Sequence, residues 1–142
     1  ATGPQEREGP PLMDGPADDA ARRKAGEATR RAVLGDAWVD RSLAGRNTFN
    51  ADWVDYITRT AWGDVWRRPG LDRRARSIVV LSVCVASGQW DEFRLHLRGA
   101  LNNGLTKEEI KEILIQCAVY AGVPAANHAF KEADAFFQEA GI

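Results

Sequence analysis

The chain has 142 residues with 19 basic and 20 acidic side chains, and 44% of its residues are hydrophobic. This length and composition suit one globular domain, and the nearly neutral charge disfavours nucleic acid or an anionic membrane surface as a partner. The longest apolar run, Ile78 to Ala86, is too short to cross a bilayer. We therefore expect a protein that acts on a small molecule and binds neither nucleic acid nor membrane.

Residues 1–20 differ from the rest of the chain because prolines and glycines alternate along them. Such a segment buries too little apolar surface to fold, so we predict a flexible tail or linker at 1–20 and one folded domain at 21–142. The segment also lacks the apolar stretch of a signal peptide, which predicts a cytoplasmic location.

The remaining sequence favours helices and contains no convincing strand or internal repeat. Gly, Pro and capping residues mark the helix ends, as in the T-x-x-E capping box of Thr106 and Glu109. The predicted helices run from Ala20 to Leu34, from Asn50 or Asp52 to about Val65, from Asp72 to Gly88, from Gly88 to Gly104, from Thr106 to Gly122 and from Pro124 to Gly141. We predict an all-α fold, a compact antiparallel bundle of about six helices.

The helix that follows Asp72 is apolar nearly all the way round between Ile78 and Ala86. A helix of this kind must be buried on every side, either at the centre of the domain or between subunits. Because the chain is short, we favour burial of this helix between subunits and expect a homo-oligomer.

Glu92 and His96 lie four residues apart on the next predicted helix, and therefore on one face of it. An unperturbed histidine has a pKa of about 6.5 and can act as acid or base at neutral pH. A carboxylate one turn away can orient the imidazole or share the proton transfer. The pair is a candidate catalytic pair; the alternative is a surface pair that only slightly stabilises the helix. His128, the other histidine, belongs to no motif.

Two tryptophans and several arginines cluster just before this helix. Trp62 and Trp66 would either anchor the core or form the wall of a pocket that excludes water. Arg68, Arg73 and Arg76 are candidate carboxylate-binding residues, because a guanidinium group can hold a carboxylate through two parallel hydrogen bonds. The alternative is that these arginines are solvated charges near the start of a helix.

Several common catalytic motifs are absent from the sequence. Cys84 and Cys117 lie far apart in apolar runs, and the chain has no C-x-x-C, G-x-G-x-x-G, P-loop, G-x-S-x-G or H-E-x-x-H motif. We therefore expect two buried free thiols, no metal and no organic cofactor.

Three segments together resemble the carboxymuconolactone decarboxylase family: WGDVWRRPGLDRRARS, EFRLHLRGALNNG and EEIKEILIQCAVYAGVPAANHAF. The earlier RRAVLGDAWVDRSL also matches the opening helix of that family. The wider superfamily, which resembles alkylhydroperoxidase D, is all-helical, and its redox members carry C-x-x-C-x-x-x-H on the central helix. Here the corresponding positions are Gln89, Glu92 and His96. The missing cysteines argue against a thiol peroxidase.

The resemblance implies decarboxylation of 4-carboxymuconolactone to β-ketoadipate enol-lactone in protocatechuate catabolism, without a cofactor. It also implies an oligomer, which we expect to be a hexamer, and a possible fusion with, or proximity to, an enol-lactone hydrolase. The residues that we expect to act are Glu92 and His96 in catalysis, and Arg76, Arg73, Arg68, Trp62, Trp66 and Tyr120 in substrate binding.

Two alternatives stay open at this point. The chain could be a diverged member of the family that acts on another lactone or keto acid. It could also be an oligomeric helical module that binds such a metabolite without converting it. A binding module needs an arginine but has no need of a proton-transfer pair.

Overall fold

The computed structural model describes residues 16–142, which form seven α-helices, one π-helical segment and no strand. In chain order these are α1 Pro16–Leu34, α2 Asp36–Ala44, α3 Ala51–Ile57, the π segment Thr58–Val65, α4 Arg73–Ser87, α5 Trp90–Asn102, α6 Lys107–Ala121 and α7 Val123–Ala140. The predicted all-α class is confirmed, with one α-helix more than the approximate six. None of the described helices is long and apolar enough to span a bilayer.

Helix α1 begins earlier than the sequence predicts, at Pro16 rather than near Ala20. Proline suits the first helical position, and the negative charges of Asp18 and Asp19 in the first turn interact favourably with the positive end of the helix dipole. The remainder of the predicted tail, residues 1–15, lies outside the described residues.

Local sequence signals set several of the other helix ends. The Asp72 side chain caps α4 by accepting a 2.8 Å hydrogen bond from the Ala75 N–H. Thr106 and Glu109 form the predicted capping box at the start of α6, with both hydrogen bonds at 3.1 Å. These two predictions are confirmed. Asn50 precedes α3, but its side chain does not cap that helix.

Two apolar clusters make up the core, and α5 lies between them. The first joins α4, α5, α6 and α7, and its large members are Leu81, Phe93, Leu97, Ile110, Leu114 and Phe137. The second joins α1, α2 and the π segment, and its members are Val33, Leu34, Val39, Trp62 and Trp66. Leu95 of α5 packs against this second cluster, and Val80 of α4 packs against both. The two faces of α5 therefore belong to different parts of the core.

Helix α1 and the π segment approach each other through two glycines. A Cβ on Gly26 would lie 2.0 Å from the Thr58 carbonyl oxygen and 2.8 Å from the Gly63 nitrogen. A Cβ on Gly63 would lie 2.7 Å from the Arg22 carbonyl oxygen. Only glycine permits this approach, because backbone atoms cannot move aside as the end of a side chain can.

Helix α4 is not enclosed by the single chain. Leu81 and Val85 are fully buried, but Val79 and Val83 on the opposite side are 51% and 58% exposed. The central position predicted as one option for α4 is therefore wrong, because the bundle covers only one side of this helix. A groove joins this exposed side to α6, and we call this surface the α4–α6 face. Its exposed large apolar residues are Ile78, Val83 and Tyr120.

We predict that Gly26→Ala lowers the free energy of unfolding by at least about 2 kcal/mol, because the new methyl group meets backbone rather than a movable side chain. Gly70→Ala is the matched control, since a Cβ there meets nothing within 4 Å, and it should change stability by less than about 0.5 kcal/mol. Urea unfolding followed by circular dichroism measures both. Equal stabilities of the two variants would contradict the close approach.

Candidate active site

His96 of α5 is buried against the two tryptophans of the π segment. Only 6% of its surface is exposed. Its ring lies nearly parallel to those of Trp62 and Trp66, with interplanar angles of 10° and 9° and centroid distances of 6.0 and 5.9 Å. The tryptophans are themselves buried, so they both anchor the second core cluster and cover the imidazole.

The π segment determines how these tryptophans are arranged. Each of its characteristic hydrogen bonds runs from a backbone N–H to the carbonyl five residues earlier, as in the 2.9 Å bond from the Trp66 N–H to the Ala61 carbonyl. The rings of Trp62 and Trp66 stack, with centroids 5.0 Å apart. The sequence predicted two aromatics one turn apart but not the π geometry.

Glu92 lies one turn before His96, as predicted, but the two side chains do not form a hydrogen bond. The distance from Glu92 Oε2 to His96 Nε2 is 3.8 Å, and the carboxylate is 62% exposed. Nδ1 of His96 is buried and has no hydrogen-bond partner among the described residues. The imidazole is therefore held by packing, and the carboxylate lies between it and solvent.

Burial of the imidazole lowers the pKa of His96 to about 4 because water no longer stabilises the charged form. His96 is consequently neutral at pH 7. It cannot donate a proton as an imidazolium ion unless an anion nearby raises its pKa again.

Among the three predicted arginines, Arg76 is the one that lines a cavity together with Trp66. A cavity of about 120 Å³ is lined by Arg76 and Trp66 together with apolar side chains. Nη2 of Arg76 donates to the Arg68 carbonyl at 2.9 Å, and its Nε is buried without a partner among the described residues. Arg68 and Arg73 are exposed, and Arg68 supplies a backbone carbonyl to this arrangement. The substrate-binding roles of Arg76, Arg73 and Arg68 stay predictions.

Tyr120 does not reach His96 within one chain. It is 84% exposed on α6, where it lines a groove of about 350 Å³ between α4 and α6. Within one chain it therefore lies apart from Trp62 and Trp66, and its role in substrate binding stays a prediction.

The sequence analysis did not identify Arg30 of α1, which is only 4% exposed. Its Nη2 donates to Ser42 Oγ at 3.1 Å, and its guanidinium carbon lies 5.1 Å from the centre of the Trp38 ring. Burial lowers the pKa of Arg30, and the carboxylate of Glu92 opposes this shift. Arg30 and Glu92 are therefore electrostatic neighbours. The signal that could have revealed it is its spacing from Val33, which places it on the apolar face of α1.

The two cysteines are free and buried. Burial raises the pKa of the Cys84 thiol, and the Glu92 carboxylate raises it further, which makes Cys84 a poor nucleophile. Across residues 16–142, no three His, Cys, Asp or Glu side chains come together as a possible metal-binding group.

Residues 51–135 match the carboxymuconolactone decarboxylase family. This match covers the π segment, α4, α5 and most of α7, and hence Trp62, Trp66, Glu92 and His96. The chain belongs to this family. Arg30 lies before the matched region.

Curated proteins related to this chain include decarboxylases from bacteria and a fungus. A 4-carboxymuconolactone decarboxylase of Acinetobacter baylyi is 48% identical over 125 residues, which cover 88% of this chain and 93% of that protein. A nitrosuccinic acid decarboxylase of Metarhizium robertsii is 41% identical over 79% of this chain and 80% of that protein. A 4-carboxymuconolactone decarboxylase sequence of Pseudomonas putida is 53% identical over 47 residues. Two decarboxylases whose names give different substrates thus resemble this chain over most of its length.

We predict that acidification destabilises the protein through His96. Its folded-state pKa of about 4 lies below the unfolded value of 6.5, so below pH 6.5 the unfolded chain binds a proton that the folded chain does not. The free energy of unfolding should fall by roughly 2–3 kcal/mol between about pH 7.5 and pH 4.5. Urea unfolding at both pH values should find this additional loss in the wild type and not in His96→Gln. The same pH dependence in both proteins would mean that His96 titrates normally.

Proposed function

We propose that the protein is a carboxy-lyase that converts 4-carboxymuconolactone to β-ketoadipate enol-lactone without a cofactor. The observation that supports this most is the buried imidazole of His96, stacked on two tryptophans with a carboxylate one turn away. It occurs in a chain 48% identical to a 4-carboxymuconolactone decarboxylase.

The substrate supplies its own electron sink. The departing carboxylate is attached to the lactone carbon next to the ring oxygen, and this carbon is conjugated through the ring double bond to the lactone carbonyl. Breaking the carbon–carbon bond releases CO2 and moves the electron pair through the ring, giving a dienolate with its charge on the carbonyl oxygen. A proton then adds to the carbon beside the carbonyl. The protein has to bind the substrate, stabilise the oxyanion and deliver that proton.

The stacked rings suit the loss of a carboxylate. An anion in the apolar surroundings of Trp62 and Trp66 is poorly stabilised, whereas the CO2 that forms is neutral, so exclusion of water favours the reaction over the bound ground state. Arg76, beside Trp66, is placed to offset the negative charge that moves onto the lactone oxygen.

His96 delivers the proton in this proposal, with Glu92 as its partner. The imidazole is neutral before substrate binds, because burial lowers its pKa to about 4. The bound substrate brings negative charge next to it, which raises the pKa and lets the imidazole take up a proton. Glu92 is exposed to solvent and can pass that proton inward, or transfer it to carbon itself.

A second candidate substrate is nitrosuccinate, which the name of the Metarhizium robertsii relative supports. It is a dicarboxylate with a nitro group that can accept an electron pair, so the same residues would suffice. Both substrates should be tested in parallel. A cytoplasmic location and the association with an enol-lactone hydrolase stay predictions.

We predict CO2 release and loss of ultraviolet absorbance when 4-carboxymuconolactone is added with a chelator and no cofactor. His96→Gln and Glu92→Gln should each lower kcat by at least about 100-fold, as expected when a proton-transfer group is lost. The matched control is His128→Gln, whose side chain is half exposed and stacks on Trp90; it should keep normal turnover. Full turnover by both His96→Gln and Glu92→Gln would refute their assignment, and a wild type inactive on both substrates would favour a binding module.

The enzyme is also proposed to be a homo-oligomer that pairs through the α4–α6 face. Ile78, Val83 and Tyr120 on this face are 38%, 58% and 84% exposed in the single chain. A continuous apolar surface of this kind marks an interaction site more often than a solvated one. The hexamer predicted from the family resemblance stays a prediction.

We predict that Ile78→Glu and Val83→Glu dissociate the oligomer, because each places a charge in an apolar interface. Multi-angle light scattering should give a multiple of the 15.6 kDa chain mass for the wild type and a smaller mass for the variants. Ala28→Glu, an exposed position on α1, is the control and should leave the mass unchanged. A monomeric wild type would contradict the proposal.

A further inference from the structure

Arg30 is a buried cation without a countercharge in contact. No carboxylate among the described residues lies within ion-pair distance of its guanidinium, and Nε has no hydrogen-bond partner there. Its hydrogen bond from Nη2 goes to a neutral hydroxyl, that of Ser42. Burying a charge this deeply is costly unless an anion compensates it. The arrangement therefore calls for an anionic ligand.

A cavity of about 380 Å³ opens beside Arg30, between α1, α2, α3 and the π segment. We call it the Arg30 cavity. Its polar lining residues are Arg23, Glu27, Arg30, Arg46, Asp55 and Thr58.

The charges around the Arg30 cavity leave its positive charge unbalanced. Asp55 is shared by Arg23 at 3.3 Å and Arg46 at 3.0 Å. Glu27 lies 3.2 Å from Arg31, which is not part of the lining. Each lining carboxylate thus already has a cationic partner of its own, and neither is in contact with Arg30. The cavity is a cationic site large enough for a carboxylate-bearing ligand.

Arg30 connects its cavity to the site around His96. Its guanidinium lies 5.1 Å from the centre of the Trp38 ring, and Trp38 packs against the cluster that contains Trp62 and Trp66. Helices α1 and α5 are in contact close by, since a Cβ on Gly99 would lie 3.1 Å from Val33 Cγ1 and 3.6 Å from His96 Nδ1. The effect of Glu92 on the pKa of Arg30 places the two charges near each other.

We propose that Arg30 binds the substrate carboxylate that is retained during the reaction. This inference rests on the proposed function. 4-Carboxymuconolactone carries two carboxylates, one that leaves as CO2 and one on an acetate side chain that stays. An arginine on the leaving carboxylate would stabilise the ground state and slow the reaction, whereas an arginine on the retained one binds substrate and transition state equally. Arg30 therefore orients the lactone so that its leaving carboxylate faces the tryptophans and His96.

The test compares Arg30→Lys and Arg30→Gln with wild type and with Arg41→Gln, an exposed arginine on α2. Arg30→Lys keeps the positive charge but cannot form two parallel hydrogen bonds with one carboxylate. We expect KM to rise about 10- to 100-fold in Arg30→Gln and less in Arg30→Lys, with kcat within about threefold of wild type. Arg41→Gln should match wild type. Circular dichroism and light scattering establish that each variant is folded and assembled.

A second measurement tests binding without turnover. The probe is the saturated lactone 5-oxotetrahydrofuran-2-ylacetate, which carries only the retained carboxylate, and its methyl ester is the uncharged control. Calorimetry should find binding of the acid to wild type, weakened at least about tenfold by Arg30→Lys, and no comparable binding of the ester. Equal binding of acid and ester, or a folded Arg30→Lys with unchanged KM and affinity, would overturn the inference. A wild type that binds the acid but decarboxylates neither substrate would refute the proposed function while leaving the role of Arg30 supported.

Discussion

Desolvation of polar groups at one end of an apolar cluster governs the chemistry of this protein. His96 and Arg30 both lie against the cluster that contains Trp62 and Trp66, Arg30 through Trp38, and each has a buried ring or guanidinium nitrogen without a partner in residues 16–142. Such groups lower the stability of the folded chain, so the surrounding structure has to hold them in place. The close approach at Gly26 does so, because it fixes α1, which carries Arg30, against the π segment, which carries the tryptophans.

The two buried groups complement a substrate that arrives with two negative charges and leaves with one. A bound anion stabilises the guanidinium directly, and it stabilises the imidazole once the imidazole has taken up a proton. The binding energy of the substrate can therefore offset a penalty that the empty protein carries, which is the general relation between active sites and stability. On this view the depressed pKa of His96 is a property of the empty site, and the substrate restores the proton that the reaction consumes.

The sequence predicted those features that depend on local patterns. Asp72 and the Thr106–Glu109 pair cap their helices as expected, because capping requires only residues a few positions apart. The four-residue spacing of Glu92 and His96 likewise predicted that both side chains lie on one face of α5. Tertiary contacts decided the rest: burial of Arg30 depends on α2, and the place of Tyr120 depends on which side of α6 the bundle covers. The π segment escaped prediction because helical periodicity does not distinguish an i+4 from an i+5 hydrogen bond over two turns.

The π segment also makes the site sensitive to chain length. A π turn holds about one residue more than an α turn, so the loss of a single residue between Thr58 and Trp62 would allow a regular α-helix to form while the chain on either side keeps its orientation. The side chains within the segment, Trp62 among them, would then point in different directions, although none had been replaced. A deletion here amounts to an active-site substitution, whereas changes of length in the exposed turn after Trp66 would leave the rings where they are. An insertion or deletion in a related chain would therefore affect the site if it fell in the π segment and not if it fell in the turn after Trp66.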